Sequence, residues 1–92
     1  MATHLIITGT VQGVGYRAWF QSQANALGLH GWVRNRLDGS VEAALRGEAQ
    51  AIDEMLTLAR SGPAKARVRE VSIADMDDAA ITRHGVEMLA TR

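Results

Sequence analysis

The stretch that decides the fold is "THLIITGTVQGVGYRAWFQSQANALG", residues 3–28, in which an apolar run, a glycine loop and an amphipathic segment follow one another. The apolar run, residues 3–9, is rich in β-branched residues and is closed by glycine, so it predicts a buried central strand. After the glycine loop, defined as residues 9–17, apolar residues recur at helical spacing and predict one buried helical face: Tyr16, Phe20, Ala24 and Leu27. Gly28 is a typical residue to end this helix.

The next segment, "LHGWVRNRLDGSVEAALRG" at residues 29–47, predicts a hairpin. Asp-Gly at residues 38–39 is a strong turn signal between two runs with β-type composition. We therefore expect residues 29–36 and 40–46 to pair as two strands. Asn35 then falls at the outgoing end of the first of them.

Two further elements are predicted beyond the hairpin. Residues 48–61 carry apolar residues at helical spacing, and Pro63 cannot continue a helix. Residues 66–75 alternate imperfectly between apolar and charged residues, which indicates a strand. The segment "MDDAAITRH" at residues 76–84 is interpreted as a loop, and "GVEMLAT" at residues 85–91 leaves a short edge strand open.

The predicted order β-α-β-β-α-β is a split β-α-β arrangement. Because each helix has one apolar stripe, both helices are expected to cover one face of an antiparallel sheet. The expected fold class is therefore α+β, a ferredoxin-like sandwich, with a fifth edge strand left open. Residues 1–92 are expected to form one domain, because two cores would not fit in a chain of this length. The helices should contribute these core residues: Phe20, Leu27, Ile52, Met55 and Leu56.

Composition narrows the classes of partner. Ten basic and ten acidic side chains give a formal net charge of zero, which argues against a broad electrostatic grip on nucleic acid or an anionic membrane. The sequence has no cysteine, so disulfides and cysteine-based metal sites are excluded. The histidines His4, His30 and His84 show no metal-ligand spacing. Since no secretory signal or membrane-spanning run is found, the expected location is cytoplasmic.

The glycine loop has two interpretations. In the first, its glycines serve backbone geometry alone and Arg17 is a solvated helix residue. In the second, glycine at positions 9, 13 and 15 leaves room for a phosphate, which successive N–H groups and the helix N-terminus would bind. The guanidinium of Arg17 would then pair with two phosphate oxygens at once. The loop lacks the Lys-Ser/Thr pair of a P-loop and the spacing of a dinucleotide fingerprint. Spacing alone leaves both interpretations open.

Asn35 also has two interpretations. Its amide is able to place a nucleophilic water, although it cannot deprotonate one at neutral pH. Alternatively, it is a polar strand end beside the hairpin turn. Arg34 and Arg36 flank it and are expected to be surface charges. No serine lies in an activating motif, so covalent serine catalysis is not expected.

Taken together, the two segments resemble the signature segments of the acylphosphatase family. "GTVQGVGYR", residues 9–17, matches the pattern Gly-x-Val-Gln-Gly-Val-x-Phe/Tyr-Arg. "GWVRNRLDGSVEAALRG", residues 31–47, matches Gly-aromatic-Val-Arg-Asn, three residues, Gly-x-Val, five residues, Gly. Every defined position fits, and the likeness extends through the second predicted helix to about residue 74.

The resemblance implies hydrolysis of the carboxyl-phosphate bond of acyl phosphates to a carboxylate and inorganic phosphate, without metal or cofactor. By position, Asn35 would orient the attacking water and Arg17 would bind the phosphoryl oxygens. Backbone amides of the loop would share in that binding: Gln12, Gly13, Val14, Gly15 and Tyr16. An acyl phosphate is already activated by its carboxylate leaving group, so such a site needs mainly positioning and charge stabilisation. We expect a monomer whose only partners are this small-molecule substrate and its products.

The chain departs from the family pattern in two places. Arg36 follows the asparagine where threonine is frequent, and the tail "GVEMLATR" at residues 85–92 has Val86 and Met88 where an aromatic residue usually follows the glycine. Two other functions stay open. One is a non-catalytic phosphate- or ligand-binding module, or an acylphosphatase-like accessory domain of a larger partner. The other is an RNA-binding sheet of the same strand order, which the lack of aromatic residues in "HLIITG" and "VEAALRG" disfavours.

Overall fold

A computed structural model describes residues 1–92 and contains five strands and two α-helices. The strands are β1 (Ala2–Thr10), β2 (His30–Asn35), β3 (Val41–Arg46), β4 (Arg67–Asp75) and β5 (Val86–Met88), and the helices are α1 (Tyr16–Ala26) and α2 (Ala49–Ser61). The predicted order β-α-β-β-α-β is confirmed, and the tail supplies the fifth strand. The loop expected over residues 76–84 contains one short 3-10 helix, Asp78–Ala80.

The sheet has the strand order β4-β1-β3-β2-β5. β1 lies in the centre and is antiparallel to both β3 and β4, as expected for a buried apolar strand. β2 and β3 form the predicted hairpin, and a carboxylate oxygen of Asp38 accepts hydrogen bonds from the backbone N–H and the hydroxyl of Ser40 in its turn. The tail crosses from β4 at one edge to the opposite edge, where β5 runs parallel to β2. The four expected strands are antiparallel, and the complete sheet is mixed.

The core lies between the helices and one face of the sheet. Strand alternation directs Leu5 and Ile7 of β1 toward the helices, where both are fully buried. The helices contribute side chains that have no solvent exposure: Phe20, Ala24, Ile52, Met55 and Ala59. The expectation that Leu27 and Leu56 are equally buried is wrong, because both are only partly buried at the margin of the core. Leu27 lies just past the end of α1, and Leu56 is turned about 100° around α2 from Met55.

The other face of the sheet carries an ion-pair cluster. Glu42 of β3 accepts from Arg34 of β2 at 2.7 Å, and its second carboxylate oxygen lies 2.7 Å from Nε2 of His4 on β1. The guanidinium of Arg34 is also 4.8 Å from the centre of the Trp32 ring. The expectation that Arg34 is a solvated surface charge is therefore wrong. Strand pairing sets Arg34 opposite Glu42, which sequence spacing did not reveal.

The tail strand β5 is fixed by contacts with α1 and β2. Asn25 of α1 accepts from the backbone N–H of Val86 at 2.8 Å, and Gln21 donates to the carbonyl oxygen of Val86 at 3.0 Å. At the start of β2, Nδ1 of His30 accepts from the N–H of Gly85 at 2.8 Å. These bonds hold the start of β5 against the C-terminal half of α1 and the first residue of β2.

Candidate active site

A pocket of about 180 Å³ lies where the glycine loop, α1, β2 and β5 meet. Its lining includes Asn35 and five of the six residues that the sequence predicts to bind phosphate: Gln12, Gly13, Gly15, Tyr16 and Arg17. The sixth, Val14, does not line the pocket, and its side chain packs against the core. The other lining residues are Val11, Ala18 and Met88. The fold thus brings the two sequence segments to one place.

The backbone of the glycine loop has the form of an anion site. Gly13 and Gly15 adopt left-handed conformations with φ of 74° and 79°, and a Cβ at either position would meet nothing within 4 Å. The backbone N–H groups of residues 12–15 donate no hydrogen bond within the chain. α1 begins directly after them, with no side-chain cap and no acidic residue in its first turn. Such N–H groups at a helix N-terminus form a concavity that favours negative charge.

Gly9 has a different function from the one expected. It does not line the pocket, so the interpretation that it leaves room for a phosphate is wrong. Its φ is 119°, and a Cβ there would collide with the carbonyl oxygen of Arg67 on β4. The pairing of β1 with β4 shifts register between Thr8 and Gly9. Glycine at this position therefore allows two strands to approach each other at an irregularity.

Arg17 lies in the first turn of α1 and is partly exposed. It forms no ion pair with any carboxylate of the chain. Its Nη1 donates one long hydrogen bond, 3.5 Å, to the carbonyl oxygen of Leu89 just beyond β5. The guanidinium therefore keeps most of its donors for an anion in the pocket.

Asn35 is the last residue of β2, on the same face of the sheet as the buried Val33. Its side-chain oxygen is buried and has no hydrogen-bond partner. An amide oxygen only accepts hydrogen bonds, and leaving a buried acceptor unpaired costs about 1–3 kcal/mol. Asn35 lines the pocket, so its unsatisfied amide lies beside the space that a ligand would enter.

The side chains of Gln12 and Tyr16 are committed to the scaffold. Nε2 of Gln12 donates to the carbonyl oxygens of Arg36 and Ser40, both at 2.8 Å, and so ties the glycine loop to the hairpin turn. The hydroxyl of Tyr16 donates to the carbonyl oxygen of Ala59 on α2 at 2.8 Å. Burial raises the pKa of Tyr16, so the phenol stays protonated. Only the backbone amides of these two residues are available to a ligand.

Sequence analysis missed the contribution of the tail. Met88 lines the pocket, Leu89 contacts Arg17, and the N–H of Arg92 donates to the carbonyl oxygen of Asn35 at 3.0 Å. No local pattern shows these contacts, because they depend on the pairing of β5 with β2. The pattern of polar and apolar residues in "GVEMLATR" does not show which strand this segment pairs with.

Two kinds of structural feature are not found in the chain, a clustered metal site and a membrane-spanning helix. No group of three or more His, Asp and Glu side chains is placed to hold a metal ion. Neither helix combines the length and the apolar character that crossing a membrane requires.

Comparison with known proteins places the chain. The family model described as "Acylphosphatase" matches residues 3–86. An acylphosphatase of Rhodopseudomonas palustris is 57% identical over 67 residues, which cover 73% of this chain and 68% of that protein. The structure resembles the crystal structure of acylphosphatase from Bacillus subtilis with a TM-score of 0.87 and 28% identity, covering 96% of this chain and 97% of that one.

A third likeness concerns the fold alone. Full-length HypF, solved in a phosphate- and nucleotide-bound form, matches 98% of this chain with a TM-score of 0.86 and 22% identity, over only 12% of its own length. The same fold thus also occurs as a small part of a much longer chain. The family match and the close relatives show that this chain belongs to the acylphosphatase family.

Proposed function

We propose that this protein hydrolyses acyl phosphates in the pocket between the glycine loop and β5. The backbone amides of residues 12–16 and the guanidinium of Arg17 bind the phosphoryl group, and Asn35 orients the attacking water. One observation carries this assignment of roles. Asn35, whose buried side-chain oxygen has no partner, lines the same small pocket as Arg17 and the glycine loop, whose N–H groups are free.

The chemical step requires little from the side chains. The water oxygen bonds to phosphorus while the bond from phosphorus to the acyl oxygen breaks, and the carboxylate leaves with the electron pair. N–H groups and Arg17 stabilise the negative charge on the equatorial oxygens of the phosphoryl group. The proton of the water passes to the phosphate or to solvent, because neither an amide nor the protonated phenol of Tyr16 accepts it. Positioning and charge stabilisation therefore provide the rate enhancement.

The first experiment measures hydrolysis of benzoyl phosphate in a buffer that contains a metal chelator. We expect Arg17→Ala and Asn35→Ala each to lower kcat/KM at least about a hundredfold, the scale of losing one transition-state donor. Arg17→Ala should also weaken inhibition by inorganic phosphate, whereas Asn35→Ala should leave that inhibition intact. Arg36→Ala is the matched control, since Arg36 neighbours Asn35 and does not line the pocket. Near-native hydrolysis in either main variant, with native folding by circular dichroism, would contradict the proposed roles.

The same assay tests the alternative of a non-catalytic phosphate-binding module or accessory domain. The observation that favours this alternative is the likeness of the fold to a small part of HypF. Phosphate binding measured by calorimetry, together with no turnover of any acyl phosphate, would support it.

The proposal includes a cytoplasmic monomer with no nucleic-acid or membrane partner. A formal net charge of zero supports the absence of a nucleic-acid or membrane partner, since such a chain has no excess of basic residues to bind a polyanion. Size-exclusion chromatography measures the oligomeric state, and a salt-dependent RNA-binding assay measures whether the protein binds nucleic acid.

A further inference from the structure

We propose that Met88 is a specificity-determining residue that contacts the acyl group, and that it favours acyl phosphates with an aromatic or bulky apolar acyl group. This inference rests on the proposed function, because it assigns the phosphoryl end of the substrate to the glycine loop and Arg17. The acyl end must then lie at the mouth of the same pocket.

The lining of the pocket has a polar part and an apolar part. The glycine loop forms the polar side with backbone groups of Gln12, Gly13 and Gly15. Of the four apolar residues in the lining, Val11 and Tyr16 are almost completely buried. Only Ala18 and Met88 offer exposed apolar side chains, and Met88 is 36% exposed. A methionine is therefore the one large apolar side chain available to a group that leaves the pocket.

The position of Met88 is set by strand pairing. In the parallel pair of β2 and β5, Met88 lies opposite Val33, and the N–H of Leu89 donates to the carbonyl oxygen of Val33 at 2.9 Å. Met88 shares a strand face with the buried Val86, two residues earlier, so its side chain is on the side of the sheet that α1 covers. Arg17 reaches the same point from α1, through its bond to Leu89. The thioether and the guanidinium thus flank one opening.

The chemistry of methionine suits a flat apolar ligand. Its side chain is flexible and polarisable, and sulfur-to-ring contacts are favourable at distances of about 5 Å. No charged side chain other than Arg17 lines this pocket. A negative charge on the acyl group would therefore have only Arg17 as a partner, and Arg17 already binds the phosphoryl group in the proposed function. A small acyl group such as acetyl would not reach Met88 and would gain nothing from it.

The kinetic test compares benzoyl phosphate with acetyl phosphate. Met88→Gln, which keeps the length of the side chain, and Met88→Ala should each lower the ratio of kcat/KM for benzoyl over acetyl phosphate about five- to tenfold. The loss should lie in KM for benzoyl phosphate, while inhibition by inorganic phosphate stays within about twofold of native. Ile73→Gln is the matched control, since Ile73 is 41% exposed on β4 at the opposite edge of the sheet.

A binding experiment on the unaltered protein accompanies the kinetics. With methionine methyl groups labelled by carbon-13, phenylphosphonate should shift the Met88 resonance, which the Met88→Gln spectrum identifies, and methylphosphonate should not. An unchanged kinetic ratio in both variants, or equal Met88 shifts with the two phosphonates, would overturn the inference. If the native protein hydrolyses neither acyl phosphate, the proposed function fails. The phosphonate shifts then still decide whether Met88 contacts the organic group.

Discussion

Single residues in this protein divide between those that would contact the substrate and those that hold the contacting groups in place. Arg17 and Asn35 belong to the first kind, since both line the pocket, Arg17 has no ion-pair partner and the side-chain oxygen of Asn35 has no hydrogen-bond partner. Gln12 belongs to the second, because both of its side-chain bonds go to the hairpin turn that follows Asn35. The carboxamide of Gln12 therefore helps to fix the distance between the glycine loop and Asn35.

Gln12→Met removes both donors and keeps the size of the side chain. We expect kcat for benzoyl phosphate to fall about ten- to a hundredfold, because small displacements of a positioned group have effects of this size. Inhibition by inorganic phosphate should change less than about twofold, since the loop amides remain. Gln50→Met on the exposed surface of α2 is the control. A parallel loss of kcat and phosphate inhibition would show that Gln12 merely maintains the loop.

At the scale of elements, the position of a residue around its helix decides how deeply it is buried. Phe20 of α1 has no exposure, whereas Leu56 of α2 is only partly buried beside Met55. Helical periodicity treats the two residues alike, since both belong to an apolar stripe. Their different exposures follow from their positions around the helix axes, since Leu56 lies about 100° around α2 from the fully buried Met55.

Phe20→Ala should therefore lower the free energy of unfolding by about 3–5 kcal/mol. Leu56→Ala should lower it by about 1–2 kcal/mol, because a partly exposed side chain loses less buried area. Urea denaturation followed by circular dichroism at neutral pH measures both. Equal losses of unfolding free energy in the two variants would contradict the difference in burial between Phe20 and Leu56.

At the scale of the whole molecule, Glu42 connects three strands on the sheet face that the helices do not cover. Desolvation raises the pKa of this carboxyl, but hydrogen bonds from His4 and Arg34 outweigh that effect and the net pKa lies below its ordinary value of 4.5. A depressed folded pKa contributes stability above the unfolded pKa, and this contribution is lost as the pH falls through the folded value. Acid should therefore weaken the connection between β1, β2 and β3.

We predict that Glu42→Gln lowers the free energy of unfolding by about 1–3 kcal/mol at pH 7, the scale of losing hydrogen bonds to a charged group. The difference from the native protein should shrink steadily as the pH is lowered below about 4.5. Urea denaturation over a pH series measures both quantities. Glu70→Gln, which replaces an exposed glutamate of β4, is the control and should change the free energy of unfolding little. A difference that stays constant down to pH 3 would refute this account.

The sequence by itself determined the local elements, the covered sheet face and the two segments that meet in the pocket. Strand, helix and turn signals act between residues a few positions apart, so they predict the β-α-β-β-α-β order. Arg17 and Asn35 were singled out by the resemblance of two segments to the family pattern. Only the tertiary structure decided the parallel pairing of β5, the position of Met88 and the partners of Gln12 and Arg34. Each of these depends on contacts between segments far apart in the chain, and no local pattern encodes which segments will become neighbours.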